Sequence, residues 1–188
     1  HLLPGLEPKG VPNNLRDTVF PFTYNDYDEL ERLVDNNNIG VIKMEVVRNA
    51  GPEDNFLEKV RKLADDNNIV LIFDECTSGF RETFGGIHKK YMVNPDIAMF
   101  GKALGNGFGI TAVVGRRDVM EAAQSSFISS TFWTERVGPS AALKTLEVME
   151  RERSWETITA TGLAVRDGIK KLATNHELPI ASWGLPAL

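Results

Sequence analysis

The chain has 188 residues, of which 42% are hydrophobic and 25% are charged, a composition typical of a globular protein with one buried core. Its net charge of −5 comes from interspersed acids and bases, so we expect no basic surface for nucleic acid or for an anionic membrane. No apolar run approaches the ~20 residues needed to cross a bilayer. The three histidines are scattered without metal-ligand spacing, and we therefore expect no bound metal.

The chain opens with an irregular segment and a short helix. Proline and glycine are too dense in residues 1–23 for regular structure, which predicts a connection that runs over a surface. Asp26 and Glu29 have the spacing of a capping box, and the apolar residues that follow predict a helix over residues 26–35.

Strand and helix patterns then alternate. Residues 40–47 predict a strand with Glu45 near its carboxyl end, and residues 52–67 predict a helix with one apolar face. Further strands are expected at residues 69–73, 96–100 and 110–114. This alternation is typical of an α/β protein with a mostly parallel sheet between helices.

Two of these strands end in residues that can carry chemistry. The apolar run 69–73 leads into Asp74, and the run that ends at residue 100 leads to Lys102, which glycines flank. Unbroken apolar runs indicate strands buried on both faces, and ligands of open α/β sheets bind beyond the carboxyl ends of the strands. A strand-end aspartate with such a lysine indicates a pyridoxal phosphate (PLP) site, in which the lysine forms a Schiff base and the acid partners the pyridinium nitrogen.

The residues next to these two have simpler interpretations. The apolar residues before Lys102 predict that its amine is shielded from water, as an imine-forming lysine requires. Glu75 is interpreted as structural, because its carboxylate can accept hydrogen bonds from nearby backbone N–H groups. Cys76 would face the same side as Asp74 on an extended segment, and as the single cysteine it favours a reducing, cytoplasmic compartment.

The last third of the chain is predicted to be mainly helical. A short helix over residues 116–124 precedes an irregular polar and aromatic loop at 125–133, and a longer helix covers 137–150. Ser154 is the predicted cap of a final helix. Apolar residues recur in that helix at steps of three and four, which predicts a stripe of core packing: Trp155, Ile158, Gly162, Val165, Ile169 and Leu172.

Three segments together resemble one family. Residues 73–81, 101–107 and 130–136 have the order and spacing of the class III PLP-dependent aminotransferases of fold type I. Within that family the chain is most similar to glutamate-1-semialdehyde aminomutases and their aminotransferase relatives, over roughly residues 40–150. The resemblance implies that residues 1–150 are part of the large PLP-binding domain and that residues 151–188 are a linking helix and the start of a smaller domain.

The resemblance also implies roles for individual residues. Lys102 is the expected catalytic residue and forms the Schiff base with PLP. Asp74 would hold the pyridinium nitrogen, and Cys76 would stand where the family has a small apolar residue packed on the cofactor ring. Thr131 matches a threonine that donates to the cofactor phosphate of the neighbouring subunit, which implies a homodimer with a shared active site.

Two positions depart from the family's pattern. Glu45 is followed by Val46 where the family has a proline. Ala50 occupies the position at which omega-aminotransferases carry a second glutamate, which favours the aminomutase-like branch.

The expected function is transfer of an amino group between an amine or amino acid donor and a carbonyl acceptor. An intramolecular aminomutase acting on a semialdehyde is the first alternative, and a catalytically silent module for folding or dimerisation is the second. The family's chains are more than twice as long and carry an upstream phosphate-binding loop, so we interpret this chain as a fragment that is inactive by itself.

Overall fold

A computed structural model of the chain describes residue 7 and residues 9–129, 131 and 134–188. The chain divides into two compact units at Ile39 and Gly40. This division is separate from the domain boundary predicted near residues 151–154, which stays a prediction.

The first unit contains a 3₁₀ turn, Asn13–Leu15, and helix α1, Tyr27–Asn36. Asp26 caps α1 as predicted, because its side chain accepts a hydrogen bond from the Glu29 backbone N–H at 2.9 Å. The Glu29 carboxylate accepts from the Thr23 N–H at 2.7 Å and not from Asp26, so only half of the predicted capping box forms.

The second unit is built on a mixed sheet. In the described part of the chain four strands pair in sequence order: β1 Val41–Met44, β2 Val70–Asp74, β3 Ile97–Phe100 and β4 Ala112–Gly115. The first three strands are parallel, and β4 is antiparallel to β3. Helix α2, Phe56–Asp66, connects β1 to β2 and packs on β2. The α/β class with a mostly parallel sheet is therefore confirmed.

The two faces of this sheet differ in burial. Leu71 and Phe73 are fully buried on one face, as are Leu57 and Val60 of α2. The alternate residues of β2 are only partly buried. The prediction that this strand is buried on both faces is wrong for the described chain, which buries one face and only partly buries the other.

Regular structure is shorter than the apolar patterns predict. The strand expected at residues 40–47 ends at Met44, although Val46 and Val47 beyond it are buried. The helix expected from residue 52 starts at Phe56, because Asp54 and Asn55 have left-handed backbone conformations that no helix can include. The apolar residues beyond Met44 thus report burial and not strand conformation.

The C-terminal helices are α3 Arg117–Met120, α4 Val137–Glu152 and α5 Ser154–Asn175. A 3₁₀ turn, Glu121–Ser125, follows α3. Only Arg153, with φ of 49°, separates α4 from α5. Ser154 is already helical, so its predicted role as the cap is wrong, and its Oγ is buried without a hydrogen-bond partner among the described residues.

The apolar stripe of α5 is core only near the start of the helix. Trp155 and Ile158 are partly buried, and Trp155 packs against Phe84 with ring centroids 5.5 Å apart. Val165 and Leu172 are 57% and 60% exposed. The predicted core packing is therefore wrong for these residues in the second half of the helix, where the C-terminal segment contacts the helix through Arg166 and Gly184 but leaves the stripe largely exposed. No helix among the described residues is both long and apolar enough to span a membrane.

Candidate active site

Asp74 is the last residue of β2, at the carboxyl end of the sheet. Its Oδ1 accepts a hydrogen bond from the Cys76 N–H at 3.1 Å, and its Oδ2 accepts one from Lys43 Nζ at 2.7 Å. Burial raises the pKa of Asp74, but the two hydrogen bonds and the charges of Lys43 and Lys102 outweigh it, so the pKa lies below its ordinary value. Asp74 is thus an oriented anion at neutral pH.

Lys102 lies at the same edge of the sheet. Asp74 pairs with Met99 of the neighbouring parallel strand, and Lys102 follows Met99 by three residues. Its Nζ donates to Thr77 Oγ1 at 2.6 Å, in the turn that follows Asp74. The side chain is exposed, so the prediction that apolar neighbours shield this amine is wrong for the described chain. The structure nevertheless brings the two predicted residues into one site.

The backbone around Lys102 is held in a strained turn. Lys102 has φ of 42°, a left-handed conformation that costs a residue other than glycine about 1 kcal/mol or more. Leu104, two residues on, is buried in an apolar cluster with Phe80 and Ala142. This anchor fixes the turn and therefore the position from which the lysine side chain leaves the backbone.

Cys76 packs on the same turn. Its Sγ lies against Gly101, where an added Cβ would be only 2.8 Å from the sulfur. The chain already turns at Cys76, so the extended geometry assumed for it in the sequence is wrong. The partly buried thiol thus packs the segment that carries Asp74 against the segment that carries Lys102.

Glu75 fixes the loop that follows β2. Its fully buried carboxylate accepts hydrogen bonds from Ser78 Oγ at 2.5 Å, the Ile87 N–H at 3.0 Å, the His88 N–H at 3.0 Å and His88 Nδ1 at 2.8 Å. Burial raises the pKa of Glu75, but these hydrogen bonds outweigh it and lower the pKa below its ordinary value. The structural role predicted for Glu75 is confirmed, since it satisfies two backbone donors.

Asp96 anchors the start of β3. Its Oδ2 accepts from the Leu71 N–H at 2.8 Å and from Arg61 Nη1 at 3.0 Å, and its Oδ1 accepts from Arg116 Nη1 at 2.8 Å. Burial raises the pKa of Asp96, but these hydrogen bonds outweigh it and hold the pKa below its ordinary value. This carboxylate ties α2, β2 and the segment after β4 together, far along the strands from Lys102.

Thr131 is the predicted site residue that the structure does not bring to the others. It is exposed, and it makes no hydrogen bond with another described residue. Its neighbours Ser130, Phe132 and Trp133 lie outside the described residues. Phe127 is the one aromatic residue of the predicted loop that the structure describes, and it is 98% exposed. The role of Thr131 stays a prediction.

Lys43 and Thr77 are site residues that the sequence interpretation missed. Lys43 interrupts the apolar run of β1, which marks it as a polar residue of the strand but does not identify its partner. Thr77 had no comparable signal, because a hydroxyl in a turn predicts no particular partner.

A cavity of about 720 Å³ adjoins the lysine turn, and Lys102 is part of its lining. The lining also includes Arg81 and Ser154 but neither Asp74 nor Cys76. The cavity therefore meets the cluster of predicted site residues at Lys102 alone. Among the residues that the structure describes, no three side chains are grouped as metal ligands.

The fold and the site define an α/β protein whose sheet edge presents an oriented aspartate beside a glycine-flanked lysine. The family model described as "Aminotransferase class-III" matches residues 24–181. The chain belongs to the class-III aminotransferase family.

Two curated relatives have similar sequences over nearly the whole chain. The chain is 36% identical over 186 residues to the 3-aminobutyryl-CoA aminotransferase of Cloacimonas acidaminovorans, an alignment of 94% of this chain and 45% of the relative. It is 29% identical over 188 residues to the glutamate-1-semialdehyde 2,1-aminomutase of Methanococcoides burtonii, an alignment of 95% of this chain and 44% of the relative. The chain thus spans a little under half the length of these relatives.

Solved structures have the same fold. The PLP internal aldimine form of the FumI protein of Sphingopyxis sp. MTA144 matches with a TM-score of 0.85 and 27% identity, over 89% of this chain and 42% of that one. An omega-transaminase from Sphaerobacter thermophilus matches with a TM-score of 0.83 and 25% identity, over 94% of this chain and 43% of the transaminase.

Proposed function

We propose that this chain carries the lysine-bearing part of a PLP-dependent active site that transfers an amino group between an amine or amino acid and a carbonyl compound. The observation that carries the proposal is the meeting of Asp74 and Lys102 at one sheet edge, close enough for the Lys102 charge to lower the pKa of Asp74. Membership of the class-III family and similarity to an aminotransferase support it.

The residues present fit PLP. Asp74 is an anionic acceptor that matches a protonated ring nitrogen, and each of its oxygens keeps a lone pair beyond the bond it already makes. The Cys76 sulfur packs directly on Gly101, so the segments that carry Asp74 and Lys102 lie close together. Lys102 supplies an exposed amine on a fixed turn.

PLP, when bound, supplies an aldehyde that accepts an amino group and a ring that withdraws electrons from the substrate carbon. Asp74 would keep a proton on the ring nitrogen through a charge-assisted hydrogen bond. Lys102 would hold the cofactor covalently and later serve as the general base that moves the proton of the substrate's α-carbon. Thr77, which now accepts from the Lys102 amine, would orient that amine.

Covalent trapping on the full-length protein tests this proposal. Borohydride reduction followed by peptide mapping should find the pyridoxyl group on Lys102. Lys89 and Lys144 are the internal controls: Lys89 donates to a backbone carbonyl and Lys144 pairs with Glu147, both away from Asp74. Pyridoxyl on either control lysine would overturn the assignment.

An aminomutase is a second candidate, supported by the similarity to a glutamate-1-semialdehyde 2,1-aminomutase and by Ala50. An aminomutase moves the amino group within one molecule. Turnover without a separate amino acceptor and without a released keto product would favour it over the aminotransferase. A protein that binds no PLP would instead support the silent folding or dimerisation module.

We also infer a homodimer whose two sites are shared. The exposure of Thr131 and Phe127 supports a surface covered by a second subunit, since exposed aromatic residues are enriched in interface cores. Mixing Thr131→Ala and Lys102→Ala variants should restore activity, because each heterodimer then has one site with both residues intact. No recovery after proven subunit exchange would place the site within one chain. A cytoplasmic location is proposed from the unpaired Cys76.

A further inference from the structure

Lys43 is a second lysine at the candidate site. It lies in β1, beside Ile72 of β2, and Asp74 is two residues further along β2 on the same face. The Nζ–Oδ2 distance of 2.7 Å is that of a charge-assisted hydrogen bond. Lys43 therefore reaches Asp74 from the neighbouring strand, along the same face of the sheet.

The two partners of this pair differ in exposure. Lys43 stands on the exposed face of β1, between the buried Ile42 and Met44. The Asp74 side chain is 21% exposed and that of Lys43 is 52% exposed. The aspartate is thus the less solvated partner, and it depends more on the pair than the lysine does.

We propose that Lys43 is a positioning residue: it orients the Asp74 carboxylate and, through its charge, sets the pH range over which Asp74 partners the ring nitrogen of PLP. This inference rests on the proposed function. Lys43 is distinct from Lys102, the lysine proposed to bind the cofactor, and it acts on the cofactor only through Asp74.

The other charges around Asp74 support the assignment. Lys102 approaches from the turn after β3, and its amine already donates to Thr77. Glu45, just beyond β1, is paired with Arg48 at 3.3 Å. Among the described residues Lys43 is the cation that contacts Asp74 directly, and it acts together with the Cys76 N–H to lower the pKa of Asp74.

Removal of the Lys43 charge has a definite sign. Asp74 and the ring nitrogen share one proton, so they titrate as a coupled pair. A positive charge beside Asp74 makes the pair less basic, and its loss makes the pair more basic. Both the acid step, in which Asp74 takes up a proton, and the alkaline step, in which the ring nitrogen loses one, should move to higher pH.

The test uses full-length protein loaded with PLP that is ¹⁵N-labelled at the ring nitrogen. The ¹⁵N resonance reports the alkaline step, and the PLP dissociation constant measured against pH reports the acid step. In Lys43→Met each midpoint should rise by about 0.5 to 1 pH unit, the range for a half-exposed pair. Lys43→Arg keeps the charge and should restore both midpoints.

Two further variants keep the result interpretable. Lys43→Gln is neutral but keeps a hydrogen-bond donor, and it replaces Lys43→Met if that variant does not fold. Lys62→Met removes a lysine from an equivalent Lys–Asp pair on α2, 2.5 Å from Asp66, and should move neither midpoint. If the ring nitrogen keeps its proton up to the highest pH at which the protein is folded, the alkaline midpoint lies outside the measured range. The acid midpoint then tests the inference by itself.

Unmoved midpoints in the neutral variants would overturn the inference, as would an equal shift in Lys43→Arg. A change in PLP affinity that is the same at every pH would show a structural role only. Failure of the proposed function is distinguishable, because wild-type protein would then give no bound ¹⁵N signal at all.

Discussion

The buried Glu75 carboxylate provides a quantitative test of the site's architecture. Glu75→Gln preserves the size of the side chain but replaces one acceptor oxygen by an NH₂ group. Whichever oxygen is replaced, a backbone N–H that now donates to it, from Ile87 or from His88, would face another donor. Ser78 can reverse its hydroxyl to accept, but a backbone N–H cannot.

The expected loss follows from these contacts. One buried donor without an acceptor costs about 1 to 3 kcal/mol, and the remaining hydrogen bonds lose the strength that the negative charge gave them. We expect Glu75→Gln to lower the free energy of unfolding by about 3 kcal/mol at pH 7. The exposed Glu150 of α4 is a matched control, and Glu150→Gln should change stability by less than about 0.5 kcal/mol.

The same variant should show a defined pH dependence. The pKa of Glu75 is lowered in the folded state, so its contribution is fully present above the unfolded value of about 4.3 and is lost as the pH falls through the folded value. The difference in free energy of unfolding between wild type and Glu75→Gln should therefore become smaller below about pH 4. Urea unfolding at several pH values measures this difference. A loss below about 1 kcal/mol at pH 7, or one that is constant with pH, would refute this account.

Three further outcomes are expected. Asp74→Asn should keep the fold and reduce turnover of the full-length enzyme more than about tenfold, or ~1.4 kcal/mol of barrier, and steady-state rates within tenfold of wild type would contradict its role. Gly101→Ala should weaken PLP retention in dialysis, because its Cβ would lie 2.8 Å from Cys76 Sγ, whereas Gly109→Ala, with nothing within 4 Å, should not. Asp96→Asn should lower the free energy of unfolding, measured by urea unfolding, by about 2 to 4 kcal/mol, because buried donors lose a charged acceptor. An unchanged urea midpoint would contradict the structural role given to Asp96.

The strands and the main site residues were predictable because their signals are local. The apolar run before Asp74 and the glycines around Lys102 each indicate a strand end, and parallel strands place such ends at one edge. Contacts between distant segments were not predictable in this way. The pair of Lys43 with Asp74 depends on strand register, which periodicity does not supply.

The errors have physical causes of a different kind. The stripe on α5 has the spacing of a core helix, but spacing says nothing about whether a covering element is present. Ser154 has the residue type of a helix cap, but the left-handed Arg153 places the helix boundary one residue earlier. Lys102 follows apolar residues, yet its own side chain leaves the turn toward Thr77 and solvent.

The left-handed backbone at Lys102 has an evolutionary consequence. At φ of 42° glycine would relieve about 1 kcal/mol or more of strain, so Lys102→Gly would remove the amine proposed to form the Schiff base and would also relax the turn. In a gene copy that is no longer selected for activity, loss of this lysine would therefore not be opposed by a loss of stability. An inactive descendant of this protein could remain well folded, and persistence of the lysine in a lineage would report selection on chemistry and not on stability.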